Sequence, residues 1–203
     1  MQAGLGPIAE PRWSRNVHLA AIGLLLAELA LGVVFRNSDH LHDKGMVMRA
    51  FFYPLCIAAV PLGWAIRRRP SPFPHLAASL LVLPFALDIG GNLVGLFDVD
   101  HFDDVLHALN WFLLVLGTST LLLRTREPRL AVFVIGVGTS ATAIVLWEFV
   151  EYLVLKSGTT GLDLTYEDTI TDLMESWLGG VAGAAVASYT SWARLVRPAS
   201  LER

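Results

Sequence analysis

Charge and cysteine are both scarce in this 203-residue sequence. Only 16% of its residues are charged, against about 25% in soluble globular chains, so an ordinary water-soluble domain is excluded. The single cysteine, Cys56, rules out an intrachain disulfide. Lying inside an apolar block, it reads as a small buried hydrophobe. The basic residues are spread through short segments and form no dense patch, which gives nucleic-acid binding no support. Also missing are a Walker loop, a Ser-His-Asp order, a cysteine in a nucleophile's context and an arginine-rich phosphatase signature. No linker, second domain or internal repeat stands out, so 1–203 reads as a single integral membrane domain.

Apolar residues make up 54% of the chain. They fall in blocks of about 20, long enough to cross a hydrocarbon core of about 30 Å. The blocks predict an all-α, polytopic membrane protein. It is a six-transmembrane-helix bundle, with helices at about 16–36, 47–66, 73–96, 103–123, 130–155 and 168–195. Arg12 and Arg15 precede the first block as in a signal peptide. That block has no small-residue cleavage pattern after it, which makes it a retained span. Pro54 and Pro61 are expected to bend the second helix, since each removes a backbone donor. In the third, Pro84 followed by Asp88, Gly90 and Gly91 suggests a helix broken at membrane depth. Gly179, Gly183 and Ala187 recur every fourth residue, a register that lets helix backbones approach closely.

The sign of charge alternates along the chain. Eleven of the fifteen Lys and Arg fall at the N-terminus, in links two–three and four–five, or at the C-terminus. Fifteen of the eighteen Asp and Glu fall in the other links or in the helix halves facing them. Short basic links stay in the cytoplasm. Both termini are therefore expected in the cytoplasm, with the acidic links outside, in a multi-pass protein of the cell (inner or plasma) membrane.

The acidic ends carry the candidate site. Glu148 and Glu151 share a helix face, as do Asp168, Asp172 and Glu175. Asp103, Asp104 and His107 open the fourth helix. Carboxylates inside a membrane are costly and usually mark function. Asp103, His107, Asp168 and Asp172 are candidate ligands of a divalent metal, with Glu148 or Glu151 as general base. Asp88, Asp104, Glu28 and Glu175 are candidate additional members. Hard oxygen ligands suit Mg, Mn or Ca, and an imidazole admits Zn or Fe. The depths of His107, Glu148 and Asp172 predict that they converge within one metal-ligand sphere or one water beyond it. Asp98, Asp100, Asp163 and Glu167 read as solvated link residues, and His40 and His42 as surface-loop residues. Glu28 reads equally as a neutral acid bonded to a neighbouring helix.

Three motifs in the second half, about residues 100–190, resemble the YjdF-like family of bacterial membrane proteins. They are Asp103-x-x-x-His107, Glu148-x-x-Glu151-Tyr152, and Asp168-Thr169-x-x-x-Leu173 with Asp172 ahead of a glycine-rich helix. Their order is also similar to that of VanZ-like proteins, a family linked to glycopeptide resistance, although Tyr152 stands where those proteins carry Trp. The resemblance implies topology and motif positions and supplies no reaction.

Three functions stay open. The first is a metal-dependent enzyme acting at the outer face on a lipid or lipid-linked substrate. The second is a proton- or ion-coupled transporter with Glu28, Asp88 and Glu148 as a relay, against which the inner helix halves are expected to lack buried acids and bases. The third is an accessory protein whose polar cluster locks the bundle. The bilayer is the expected partner, and the sequence leaves the oligomeric state open.

Overall fold

The computed structural model describes residues 10–67, 72–125, 127–158 and 165–192. The fold is all-α, with α1 Ser14–Val34, α2 Met46–Phe52, α3 Pro54–Ile66, α4 His75–Leu93, α5 Phe102–Leu123, α6 Arg129–Lys156 and α7 Tyr166–Tyr189. A single 3-10 turn, Leu96–Asp98, joins α4 to α5. Asp163, Arg68, Arg69 and Arg126 lie outside the described residues, as do 193–195 of the expected last helix.

Among the described residues, five stretches are long and apolar enough to cross a membrane: α1, Met46–Ile66 (α2 with α3), α4, α5 and α6. The acid-rich start of α7 sets it apart, yet it is the sixth long helix of the bundle. The chain is a polytopic membrane bundle. Its second span divides at Tyr53, because Pro54 cannot donate a backbone hydrogen bond and takes the first position of α3.

The expected break in the third span is absent. α4 runs unbroken through Pro84, Gly90 and Gly91. Its glycines serve packing instead. A Cβ on Gly90 would come within 2.9 Å of Glu28 Oε1, and one on Gly91 within 2.9 Å of a Phe102 ring carbon. α4 ends before Gly95, whose φ of 73° is a left-handed turn suited to glycine.

Two apolar cores hold the bundle. Leu25, Leu29, Val82 and Ile89 join α1 to α4, with Tyr53 packed in. Leu76, Leu80, Leu116, Leu123 and Ala187 join α4, α5 and α7. The α5–α7 contact is the closest, since Gly179 and Gly183 lie against the backbone of Ala108 and Phe112 with no room for a side chain. α7 therefore takes the place beside α5 that chain order would have given α6, which rests mainly on α7.

Candidate functional site

Three helix ends build the site. The first turns of α5 carry Asp103, Asp104 and His107, the last turns of α6 carry Glu148 and Glu151, and the first turns of α7 carry Asp168, Asp172 and Ser176. The glycine seam of α7 brings the α5 and α7 sets together. Thr165 starts α7 by accepting a hydrogen bond from the Asp168 N–H at 3.1 Å.

The His107 ring is oriented by Ser176, with Nδ1 and Oγ at 3.1 Å. Its Nε2 faces two carboxylates, Asp103 Oδ1 and Asp172 Oδ1, each at 3.7 Å. These are ion-pair spacings, too long for hydrogen bonds. Asp103, His107 and Asp172 each offer a ligand atom within 4.8 Å of the others, and so do Glu148, Glu151 and Asp172. Asp172 belongs to both groups. It is 4% exposed and Glu148 is 7% exposed, and neither Glu148 oxygen has a hydrogen-bond partner. Buried carboxyl oxygens are almost always paired, and a water, a shared proton or a cation are the partners that chemistry offers these two.

Two cavities meet here. A polar one of about 310 Å³ is walled by Asp103, Asp104, His107, Glu151, Asp168 and Asp172, with Lys44 and Arg49 across from them. An apolar groove of about 430 Å³ runs from Asp103 and His107 along α5, facing α6 and α4.

A family described as "Predicted membrane protein (DUF2238)" matches residues 17–192. The chain belongs to this family. The DUF2238 match extends through the first half of the chain, well beyond the motifs between 100 and 190. The YjdF-like resemblance is consistent with DUF2238, whereas the VanZ-like one finds no support. No curated protein and no solved structure matches the chain.

Other candidates of this DUF2238 chain sit elsewhere. Asp88 lines the groove, but its charge is met by Arg49, which donates to Asp88 Oδ2. Tyr53 OH donates to the same oxygen at 2.7 Å, and Asn92 Nδ2 donates to the Asp88 carbonyl at 2.8 Å. Arg49 also donates to the Lys44 carbonyl at 2.9 Å. Glu28 sits between α1 and α4 against Gly90, with Oε2 buried and unpartnered, and lines neither cavity. Glu175 also lines neither. Asp104 bonds His101 at 2.9 Å on the rim, and that bond raises the exposed imidazole's pKa. His40 pairs with Asp98 at 2.8 Å and His42 with Asp43 at 3.2 Å, all on the surface.

The opposite end of the bundle, expected to face inward, differs from expectation. It holds titratable groups inside the protein: buried His18 and half-buried His75 meet Nδ1 to Nδ1 at 3.2 Å, with Phe73 stacked on His18. Arg124 donates to Glu10 and, at 2.7 Å, to the Pro72 carbonyl, and lies 5.6 Å above the Trp64 ring. Glu10 and Arg124 are 114 residues apart, a pairing no local pattern announces. Ser176 was the readable omission, since it lies one turn after Asp172 on the same face.

Proposed function

We propose that the convergence of α5, α6 and α7 is a divalent-metal centre, and that the protein is an enzyme acting on a lipid or lipid-linked substrate at the outer face of the cell membrane. The observation that carries this reading is Glu148. It is nine-tenths buried, unpartnered at both oxygens, and grouped with two more acids. A bundle lock would hydrogen-bond its members, and here a buried acid has neither oxygen bonded to another protein group. Asp103, His107 and Asp172 are the proposed ligands, with Asp168 on the wall beside them. Glu148 and Glu151 are placed to accept a proton. A bound metal would supply Lewis acidity and an acidified water. Lys44 lines the polar cavity and would bring positive charge to an anionic headgroup.

Elemental mass spectrometry of protein purified without chelators tests the reading. A stoichiometric divalent metal, lost in Asp172→Asn with helical content kept, is the expected result. A metal-free wild-type protein overturns it. The orientation is proposed from the basic links. In a Cys56→Ala background, a cysteine at position 42 should react with an impermeant reagent in intact cells, and one at position 67 should not. A proton- or ion-coupled transporter is the second reading, favoured by the contact of buried His18 with half-buried His75 at the end proposed to face inward. It predicts proton flux in vesicles that Glu148→Gln abolishes.

A further inference from the structure

The apolar groove has a shape that its neighbouring acids do not explain. Asp103, His107, Asn110, Leu114 and Thr118 recur every three or four residues along α5, so they form one face. From the first to the last, at 1.5 Å per residue, is about 22 Å, most of a hydrocarbon core of about 30 Å. A headgroup alone needs no such depth. The facing wall is α6, through Thr139, Ala143 and Trp147, with Phe85 of α4 at the side. α6 rests mainly on α7 and lightly on α5, which is why the groove exists. Thr139, Leu146 and Val150 on its α6 border are exposed, so it opens sideways at membrane depth.

We propose that this groove seats one hydrocarbon chain of a membrane lipid, entering sideways from the bilayer, with the lipid's polar end at His107. Three features select that occupant. The walls are apolar and open where only lipid chains are available. The outer end is continuous with the polar cavity through Asp103 and His107, which line both. Asn110, one turn below His107, has a buried amide oxygen with no partner. An amide can turn either its oxygen or its NH₂ to a ligand. It meets the ester, amide or hydroxyl where headgroup joins chain. The headgroup position rests on the metal-site reading above; the chain site does not.

The test uses vesicles of phosphatidylglycerol and phosphatidylethanolamine doped with phosphatidylglycerol carrying a diazirine near the methyl end of one acyl chain. After illumination, labelled peptides are mapped by mass spectrometry. Saturable labelling at Leu114 and Thr118 is expected, together with non-saturable labelling at Leu24, which faces outward from α1. Moving the diazirine to mid-chain should shift the saturable label toward Leu106 and Asn110. Ala143→Trp should cut the saturable label at least fivefold and leave Leu24 labelling unchanged. Should Ala143→Trp fail to fold, Leu114→Phe makes the same test with a smaller change. Deep labelling that never saturates, or that survives a folded variant, overturns the chain site. Elemental analysis of the same samples separates the two readings. Saturable labelling without metal sinks the metal centre alone, and metal without saturable labelling sinks the chain site alone.

Discussion

The two ends of the bundle both bury charge, and they answer it in opposite ways. At the inner end Glu10 faces Arg124, a carbonyl also accepts from the guanidinium and an indole covers it. At the outer end Asp103 and Asp172 flank one imidazole, and Glu148 and Glu151 gather with the same Asp172. Asp88, close to that group, has its own arginine and tyrosine. Burial alone therefore does not distinguish a structural charge from a functional one. What distinguishes them is whether the protein itself provides the counter-charge. Where it does, the pair ties distant helices together. Where it does not, water, shared protons or the proposed metal would meet the charge.

The comparison is broken most forcefully at the inner end. Arg124→Met should destabilise the protein by about 3–5 kcal/mol, because it strands a half-buried carboxylate. Arg124→Met combined with Glu10→Met should recover most of that loss, since an apolar pair can replace a buried ion pair. Thermal unfolding in detergent reads both. Additive losses in the double variant would show that Glu10 and Arg124 do not act as a pair.

The reasons these features were or were not legible are physical. Apolar block length marks spans whatever their neighbours, so the helices were readable as blocks, although the second divides at Tyr53 and the last ends at Tyr189. The four-residue glycine register of α7 was readable too, because close helix approach needs small residues wherever it occurs. The glycines of α4 misled, because a glycine pair after a proline is equally a break or a landing place for Glu28 and Phe102, and only the partners decide. Long-range pairs were invisible. Arg49 and Asp88 lie 39 residues apart and Glu10 and Arg124 lie 114 apart, and each alone resembles a membrane-flanking charge. The outer acids could be placed at one depth by helix rise, but α7's position beside α5 came from packing.

At the outer end the sign of the effect should reverse. In metal-stripped protein, Glu148→Gln removes a buried charge beside Glu151 and Asp172 and should raise stability. Glu10→Gln, which removes an answered one, should lower it. In protein supplied with Mg²⁺, Mn²⁺ or Zn²⁺, wild type should gain stability that Glu148→Gln does not. Unfolding midpoints with and without each metal give the comparison. Should Glu148→Gln destabilise the metal-free protein as Glu10→Gln does, the outer cluster is a lock like the inner one.

The rim offers the smallest effect and the sharpest control. His101 and Asp104 form the same kind of contact as the inner pair, Nδ1 to Oδ2 at 2.9 Å, but in full solvent. The hydrogen bond to Asp104, then its charge, raises the imidazole's pKa above an ordinary value of about 6.5. A raised pKa stabilises the fold at pH below that ordinary value, and the contribution disappears as pH rises through the folded one. Solvent and salt screen an exposed pair, so little stability should accompany the shift. His101 resonances followed by NMR across pH 5–8 should titrate above the ordinary midpoint and return to it in Asp104→Asn. The unfolding midpoint should not move. Metal content should not move either, because Asp104 spends its carboxylate on His101 and stands outside both groups of converging ligand atoms. Metal lost in Asp104→Asn, with His101 titrating normally, would bring Asp104 inside the site and enlarge the outer cluster beyond Asp103, His107, Glu148, Glu151 and Asp172.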